Sequence, residues 1–205
     1  MTLWFASGNA HKKQELQAIL GESAENYRIM SPAEAGIAFD PLESGSDFLE
    51  NALIKARALY RILAEQGKAA PVIADDSGLC VDALGGKPGI RSARYGSTDG
   101  KKLKDAERNA LLLSELGDNP LRKARFVCAM ALLLSEDRFY VVQETLEGEI
   151  ITPDLGLGRG TGGFGYDPLL YLPDRGLTVA ELTPDEKKRL SHRGKAGRAI
   201  AAFLT

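Results

Sequence analysis

The chain has 205 residues, of which 44% are hydrophobic and 26% charged, with a formal net charge of −2. That length and mix fit one globular domain over 1–205, built as one core with or without a smaller lobe, and exclude a disordered chain. The slight negative charge removes any whole-molecule attraction to nucleic acid, so a polyanionic ligand must find its positive partners locally.

The N-terminus, Met1-Thr-Leu-Trp-Phe-Ala-Ser-Gly-Asn9, has no basic stretch ahead of its apolar residues and reads as a first strand rather than a signal peptide. No run approaches the roughly 18 apolar residues of a spanning helix. A cytoplasmic protein without a membrane partner is the expectation. Cys80 and Cys128 both sit beside apolar residues, as buried free thiols of a reduced compartment would. The histidines, His11 and His192, lie in no cysteine-enzyme motif.

After the first strand, Leu16, Ile19 and Leu20 recur at helical spacing and predict a helix over 11–20. The segment between, Ser7-Gly8-Asn9-Ala10-His11-Lys12, sits where backbone N–H groups and the positive end of a helix dipole suit an anion. Gly8 lets the backbone approach, Ser7 and Asn9 add donors, and Lys12 adds charge. It is not a Walker A loop, and an ordinary strand-to-helix turn with an asparagine cap explains it equally well. Asp47 is the expected N-cap of a second helix. Glu50 follows three residues later, and Phe48, Ala52, Ala56, Leu59 and Leu63 form its apolar face.

Residues 71–74 read as a short buried strand, followed by Asp75-Asp76-Ser77-Gly78. Adjacent carboxylates are costly to bring together unless a cation or a shared proton relieves them. Mg²⁺ is typically held by one or two carboxylates plus waters and substrate phosphates. A solvated acidic turn is the bland alternative. Glu43 and Glu50 are further carboxylates within reach of such a site.

Residues 79–95 are rich in glycine and proline turns, and a helix is predicted over 101–116, ending at Gly117. Two neighbouring strands are expected over 125–134 and 139–146, with a turn at 135–138. Gly160-Thr-Gly-Gly-Phe-Gly165 matches Gly-x-Gly-x-x-Gly, but Pro168 and Pro173 follow where a dinucleotide site needs a helix. The segment reads instead as a loop that presents Phe164 and Tyr166 for stacking, with Asp167 able to bond a ring edge, or as a turn whose aromatics are core. Thr183-Pro184-Asp185-Glu186 is a strong helix start. For Lys187, His192 and Arg193 to meet one ligand, that helix must break near Ser191, since 100° per residue places them on different faces. Strands interspersed with helices make the chain α/β with a central mixed, strongly twisted sheet and flanking helices.

These segments together resemble the inosine triphosphate pyrophosphatase, or Ham1-type, family. The match rests on Ser7 to Lys12, Phe48-Leu-Glu-Asn-Ala52 with Lys55-Ala56, Ala74-Asp-Asp-Ser-Gly-Leu79, and Leu84 to Gly89 leading to Ser92-Ala-Arg-Tyr95. Gly162-Gly-Phe-Gly-Tyr-Asp-Pro168 and Ser191-His-Arg193 complete it. The resemblance implies two lobes around a substrate cleft, a homodimer, and Mg²⁺-dependent hydrolysis of ITP, dITP and XTP to monophosphate and pyrophosphate. Carried over, Ser7, Gly8, Asn9, Ala10, His11 and Lys12 are similar to the triphosphate loop. Asp76 is similar to the catalytic and metal-binding carboxylate, and Glu43 to a second metal ligand. Ser77 is similar to a substrate contact, Phe164, Gly165, Tyr166 and Asp167 to the base loop, and Lys187, His192 and Arg193 to purine contacts. Lys188 departs from the asparagine of many relatives.

Overall fold

The computed structural model describes residues 1–21, 27–98 and 102–204. Its strands and helices, in chain order, are β1 Thr2–Phe5, α1 Ala10–Leu20, β2 Arg28–Met30, α2 Phe48–Glu65, β3 Val72–Val81 and α3 Asp105–Leu116. They continue with β4 Lys123–Leu133, β5 Phe139–Ile150, β6 Leu170–Leu172, β7 Leu177–Thr178, α4 Pro184–Leu190 and α5 His192–Ala201. The strands form one seven-stranded sheet in the order β2-β1-β3-β4-β5-β6-β7. β1 runs parallel to β2 and β3, whereas β6 is antiparallel to β5 and β7, so the sheet is mixed as expected. No helix among the described residues is long and apolar enough to cross a membrane.

The chain divides into two compact units, 1–76 with 128–144 and 192–205, and 77–127 with 145–191. In the first, Leu3, Phe5, Ile73, Cys128, Met130 and Leu132 of the strands pack against Leu16 and Leu20 of α1 and Ala196 and Ile200 of α5. Gly197 permits that packing, because a Cβ there would come within 2.7 Å of Ile19 Cγ2. Asp47 caps α2 by accepting from Glu50 N–H at 2.8 Å, and the predicted apolar face of α2 is buried. Glu50 itself accepts from Ser46 N–H at 2.7 Å and so serves the helix start.

In the second unit, Leu79, Val81, Phe126, Leu146 and Ile150 pack with Leu112 and Leu116 of α3 and with Tyr95, Tyr166, Leu170 and Val179. α3 begins at Asp105, later than the sequence predicts. Glu107 accepts from Lys104 N–H at 2.6 Å and Arg108 donates to Leu103 O at 2.7 Å, which fixes an extended lead-in. Lys101 of the predicted helix lies outside the described residues. β5 runs on to Ile150, where it pairs with Leu170 of β6.

The larger correction concerns β3. The strand does not stop at Ala74 but continues through Asp75, Asp76, Ser77 and Gly78 to Val81. Both aspartates are buried. A charged pair ends a strand only when its charges must seek water, and here lysine and arginine side chains meet them inside the protein.

Candidate functional site

Because Asp75 and Asp76 are consecutive strand residues, their side chains leave β3 on opposite faces. They do not crowd one another; each acquires its own cations. Asp75 is 1% exposed. Its Oδ1 accepts from Lys12 Nζ at 3.2 Å, and its Oδ2 from Arg193 Nε and Nη2 at 3.0 and 2.9 Å. The Cys128 thiol lies 4.0 Å from the same Oδ2. Arg193 Nη1 reaches on to Glu15 at 2.6 Å. Burial opposes ionisation of Asp75, but Lys12, Arg193 and Lys55 outweigh it and hold the carboxyl well below the usual range. Burial and the neighbouring Asp75 charge push the Cys128 thiol up to about 12, which leaves it inert as a nucleophile.

Across the strand, Lys55 of α2 donates to Asp76 Oδ1 at 2.9 Å and reaches Glu43 Oε1 at 3.0 Å. Asn51, one turn earlier on α2, donates to Asp76 Oδ2 at 3.4 Å and accepts from Gly45 N–H at 2.9 Å. That second bond holds the segment bearing Glu43 against the start of α2. A Cβ on Gly45 would sit 2.8 Å from Asn51 Oδ1, so the approach needs glycine. Burial pushes the Asp76 carboxyl up, and Lys55 only partly restores it. Burial works against the Lys55 ammonium, yet Asp76, Asp75 and Glu43 reverse this and raise its pKa.

Two hard oxygen donors thus converge on one cationic point, with the Asp76 and Glu43 side chains 11% and 25% exposed. No group of three or more His, Cys, Asp or Glu suited to a metal occurs among the described residues. A small divalent cation that keeps waters and phosphate oxygens fits this donor pair.

Just after β1, Asn9 Oδ1 accepts from Lys12 N–H at 3.1 Å and caps α1, while Ser7 Oγ accepts from Asn9 N–H at 3.2 Å. Gly8, Asn9, Ala10 and His11 are exposed. Gly8 is not among the glycines with positive φ, and a Cβ there would meet nothing within 4 Å. The fold itself does not require glycine at that position. What glycine provides is open backbone at a helix N-terminus, beside the Lys12 ammonium.

The second unit holds Phe164 to Asp167, the loop that resembles the family's base loop. Asp167 accepts from Phe164 N–H and from Lys187 Nζ, each at 2.8 Å, and Lys187 Nζ lies 5.0 Å from the centre of the Phe164 ring. Gly165 N–H donates to Asp105 at 2.7 Å, and its carbonyl accepts from Asn109 at 3.1 Å. Phe164 is half-buried. Tyr166 is not available for stacking: it is 5% exposed in the apolar core, and its hydroxyl donates to Ser92 O at 3.0 Å. Burial takes its pKa up to about 12. Of the two aromatic residues in this loop, only Phe164 can present a ring face. Ser77 is half-buried on β3, the first residue of this unit.

The predicted break near Ser191 is present. α4 is capped by Thr183 with Glu186 reciprocating, and it ends at Leu190; Ser191 is extended (ψ 154°), and α5 opens at His192. His192 and Arg193 are buried in the first unit, whereas the partners of Lys187 lie in the second. Sequence reasoning passed over Lys55, Asn51 and Glu15 as site residues. The signals were faint: Asn51 and Lys55 are one turn apart beside the apolar face of α2, and Glu15 follows Lys12 by one turn.

The family model described as the Ham1 family matches residues 3–203. The chain belongs to the Ham1 family. A Treponema denticola protein named dITP/XTP pyrophosphatase is 49% identical over 204 residues, covering 100% of this chain and 98% of the relative. A Geobacillus kaustophilus protein of the same name is 46% identical over 93% of this chain and 88% of its own length. Among solved structures, the Staphylococcus aureus Ham1 protein superposes with a TM-score of 0.83 at 36% identity, covering 100% of this chain and 98% of that one. The mixed seven-stranded α/β sheet with flanking helices is thus a Ham1 architecture.

Proposed function

We propose that this Ham1-family chain hydrolyses ITP, dITP and XTP to the monophosphate and pyrophosphate with Mg²⁺. The observation that carries the reading is the pair of cation–carboxylate groups on opposite faces of β3, Lys12–Asp75 and Lys55–Asp76–Glu43. The curated relatives named dITP/XTP pyrophosphatase support the substrate class. Phosphates go to the Gly8–Lys12 turn, where exposed backbone and Lys12 offset their charge, and Lys55 adds a second cation. Asp76, whose carboxyl is more basic than usual, accepts a proton from the attacking water and aims it at the α-phosphorus. The new P–O bond forms as the bond to the β-phosphate oxygen breaks, and pyrophosphate leaves. Asp76 and Glu43 would hold Mg²⁺, which would supply charge neutralisation for the phosphates.

The base lies against Phe164, and Lys187 donates to the 6-oxo group of hypoxanthine or xanthine. Adenine offers a 6-amino group there and leaves the ammonium unmatched. Homodimeric assembly and a cytoplasmic location belong to the same reading, supported by the family resemblance; light scattering on the purified chain checks the first. Pyrophosphate release from ITP, dITP, XTP, dUTP, ATP and GTP, with and without Mg²⁺, tests the whole. Equal rates on ITP, XTP and ATP would sink it.

A further inference from the structure

Phe164 stands between two glycines whose backbone is left-handed, Gly163 at φ +73° and Gly165 at φ +63°. Glycine adopts either hand about equally well, so groups outside the two residues must hold the ring between them in one orientation. At Gly163 that group is Asp167, whose Oδ2 crowds the glycine and accepts from Phe164 N–H at 2.8 Å. At Gly165 there is no such packing: a Cβ there would meet nothing within 4 Å.

Restraint comes instead from the first turns of α3. Gly165 N–H donates to Asp105 Oδ2 at 2.7 Å, and Gly165 O accepts from Asn109 Nδ2 at 3.1 Å. Asp105 and Asn109 are one helical turn apart, so a single face of the helix presents an acceptor and a donor to the two sides of one residue. The Asp105 carboxylate is itself oriented by Arg108, which takes its Oδ1 and donates through Nη1 to Leu103 O at 2.7 Å. The start of α3 is served by Glu107 on Lys104 N–H, which leaves Asp105 Oδ2 and Asn109 Nδ2 to the loop. The Phe164–Gly165 peptide is thus gripped at both ends, because Phe164 O also accepts from Asp167 N–H at 3.3 Å. Beyond it, Tyr166 is locked in the core by burial and by its bond to Ser92 O.

We infer that Asp105 and Asn109 are positioning residues for base binding: together they fix the Gly165 backbone, and with it the plane in which Phe164 offers its ring to a purine. That role rests on the proposal above that the base lies against Phe164. The expected effect is on the base and not on the phosphates.

The test compares Asp105→Ala, Asp105→Asn, Asn109→Leu and Phe164→Ala with the unaltered chain. Measured are kcat and KM for ITP and XTP, and the inhibition constant of inorganic triphosphate, which has no base. Asp105→Ala is expected to raise KM for both nucleotides by about tenfold, the size of a lost hydrogen bond to a charged group. Asn109→Leu, similar in size but unable to donate, raises it by about fivefold, the size of a lost neutral bond. The turnover number stays within about twofold, as for an interaction made equally in ground and transition states. The inorganic triphosphate constant does not change. Asp105→Asn keeps an acceptor oxygen for Gly165 N–H and restores most of the loss.

Unaltered KM in folded Asp105→Ala and Asn109→Leu, while Phe164→Ala raises it, would leave the pair a purely structural role and overturn the inference. A parallel rise in the inorganic triphosphate constant would overturn it equally, by showing a distortion not confined to the base. If Phe164→Ala itself leaves KM unaltered, the base does not lie against that ring, and the base reading falls together with the role built on it. The Asp105 side chain is 50% exposed, so its replacement leaves the core intact. Should Asn109→Leu not fold, the two Asp105 variants decide by the same constants.

Discussion

Replacing Lys55 by methionine keeps the length and the apolar stem of the side chain but removes the cation between Asp76 and Glu43, which it reaches at 2.9 and 3.0 Å. Removing one partner of a buried ion pair costs about 3–5 kcal/mol. At about 2–4 °C per kcal/mol for a chain of this size, the melting temperature falls by about 6–20 °C. The loss should be recoverable in a specific way. Two carboxylates left facing one another bind a divalent cation more tightly than they do around an ammonium. Mg²⁺ at about ten times its dissociation constant returns about 1.4 kcal/mol. Differential scanning calorimetry with and without Mg²⁺ reads both effects. Lys55→Met is expected to melt well below the unaltered chain in chelator and to gain more from Mg²⁺ than that chain does. A melting point within about 2 °C of the unaltered chain, or no larger gain from Mg²⁺, would refute the shared role given to Asp76 and Glu43.

Asp76→Asn should abolish pyrophosphate release from ITP by about 10³-fold or more while circular dichroism stays native, since amide nitrogen accepts no proton from water; retained turnover removes Asp76 from the base role. Gly163→Ala should disturb the base loop, because its φ of +73° disfavours a Cβ that would stand 2.0 Å from Asp167 Oδ2. The strained backbone alone costs about 1–2 kcal/mol, and a displaced Asp167 would release both Phe164 N–H and Lys187, so KM for ITP rises while inhibition by inorganic triphosphate does not. Acid stability should follow Asp75. Its folded-state pKa is depressed, so its stabilisation is present above the unfolded value of about 4 and is lost as pH falls through and below it. Urea midpoints should drop on acidification below about pH 5, and Asp75→Asn, though less stable throughout, should flatten that slope.

Much of the fold could be read locally. Asp47, Glu50 and the apolar spacing of α2 report a helix wherever they occur, because capping and amphipathicity act within a few residues. The same holds for Thr183–Glu186, and for the break at Ser191 that separates α4 from α5. The end of β3 was not local. Read alone, Asp75-Asp76-Ser77-Gly78 has the composition of a turn, and only the arrival of Lys12, Lys55 and Arg193 from distant segments lets it remain a strand. Tyr166 failed for a related reason: an aromatic residue in a glycine-rich loop can face either way, and the core together with Ser92 O decides it.

The sequence by itself determined that this is a Ham1-type α/β chain, because helix caps, strand periods and motif residues are properties of near neighbours along the chain. The tertiary structure alone decided which of the charged residues meet. Alternation along β3 sends two adjacent aspartates to opposite faces, one against Arg193 and Lys12, the other against Lys55 and Glu43. Which cation a buried carboxylate meets depends on contacts between residues up to 118 positions apart, and no local pattern encodes that distance.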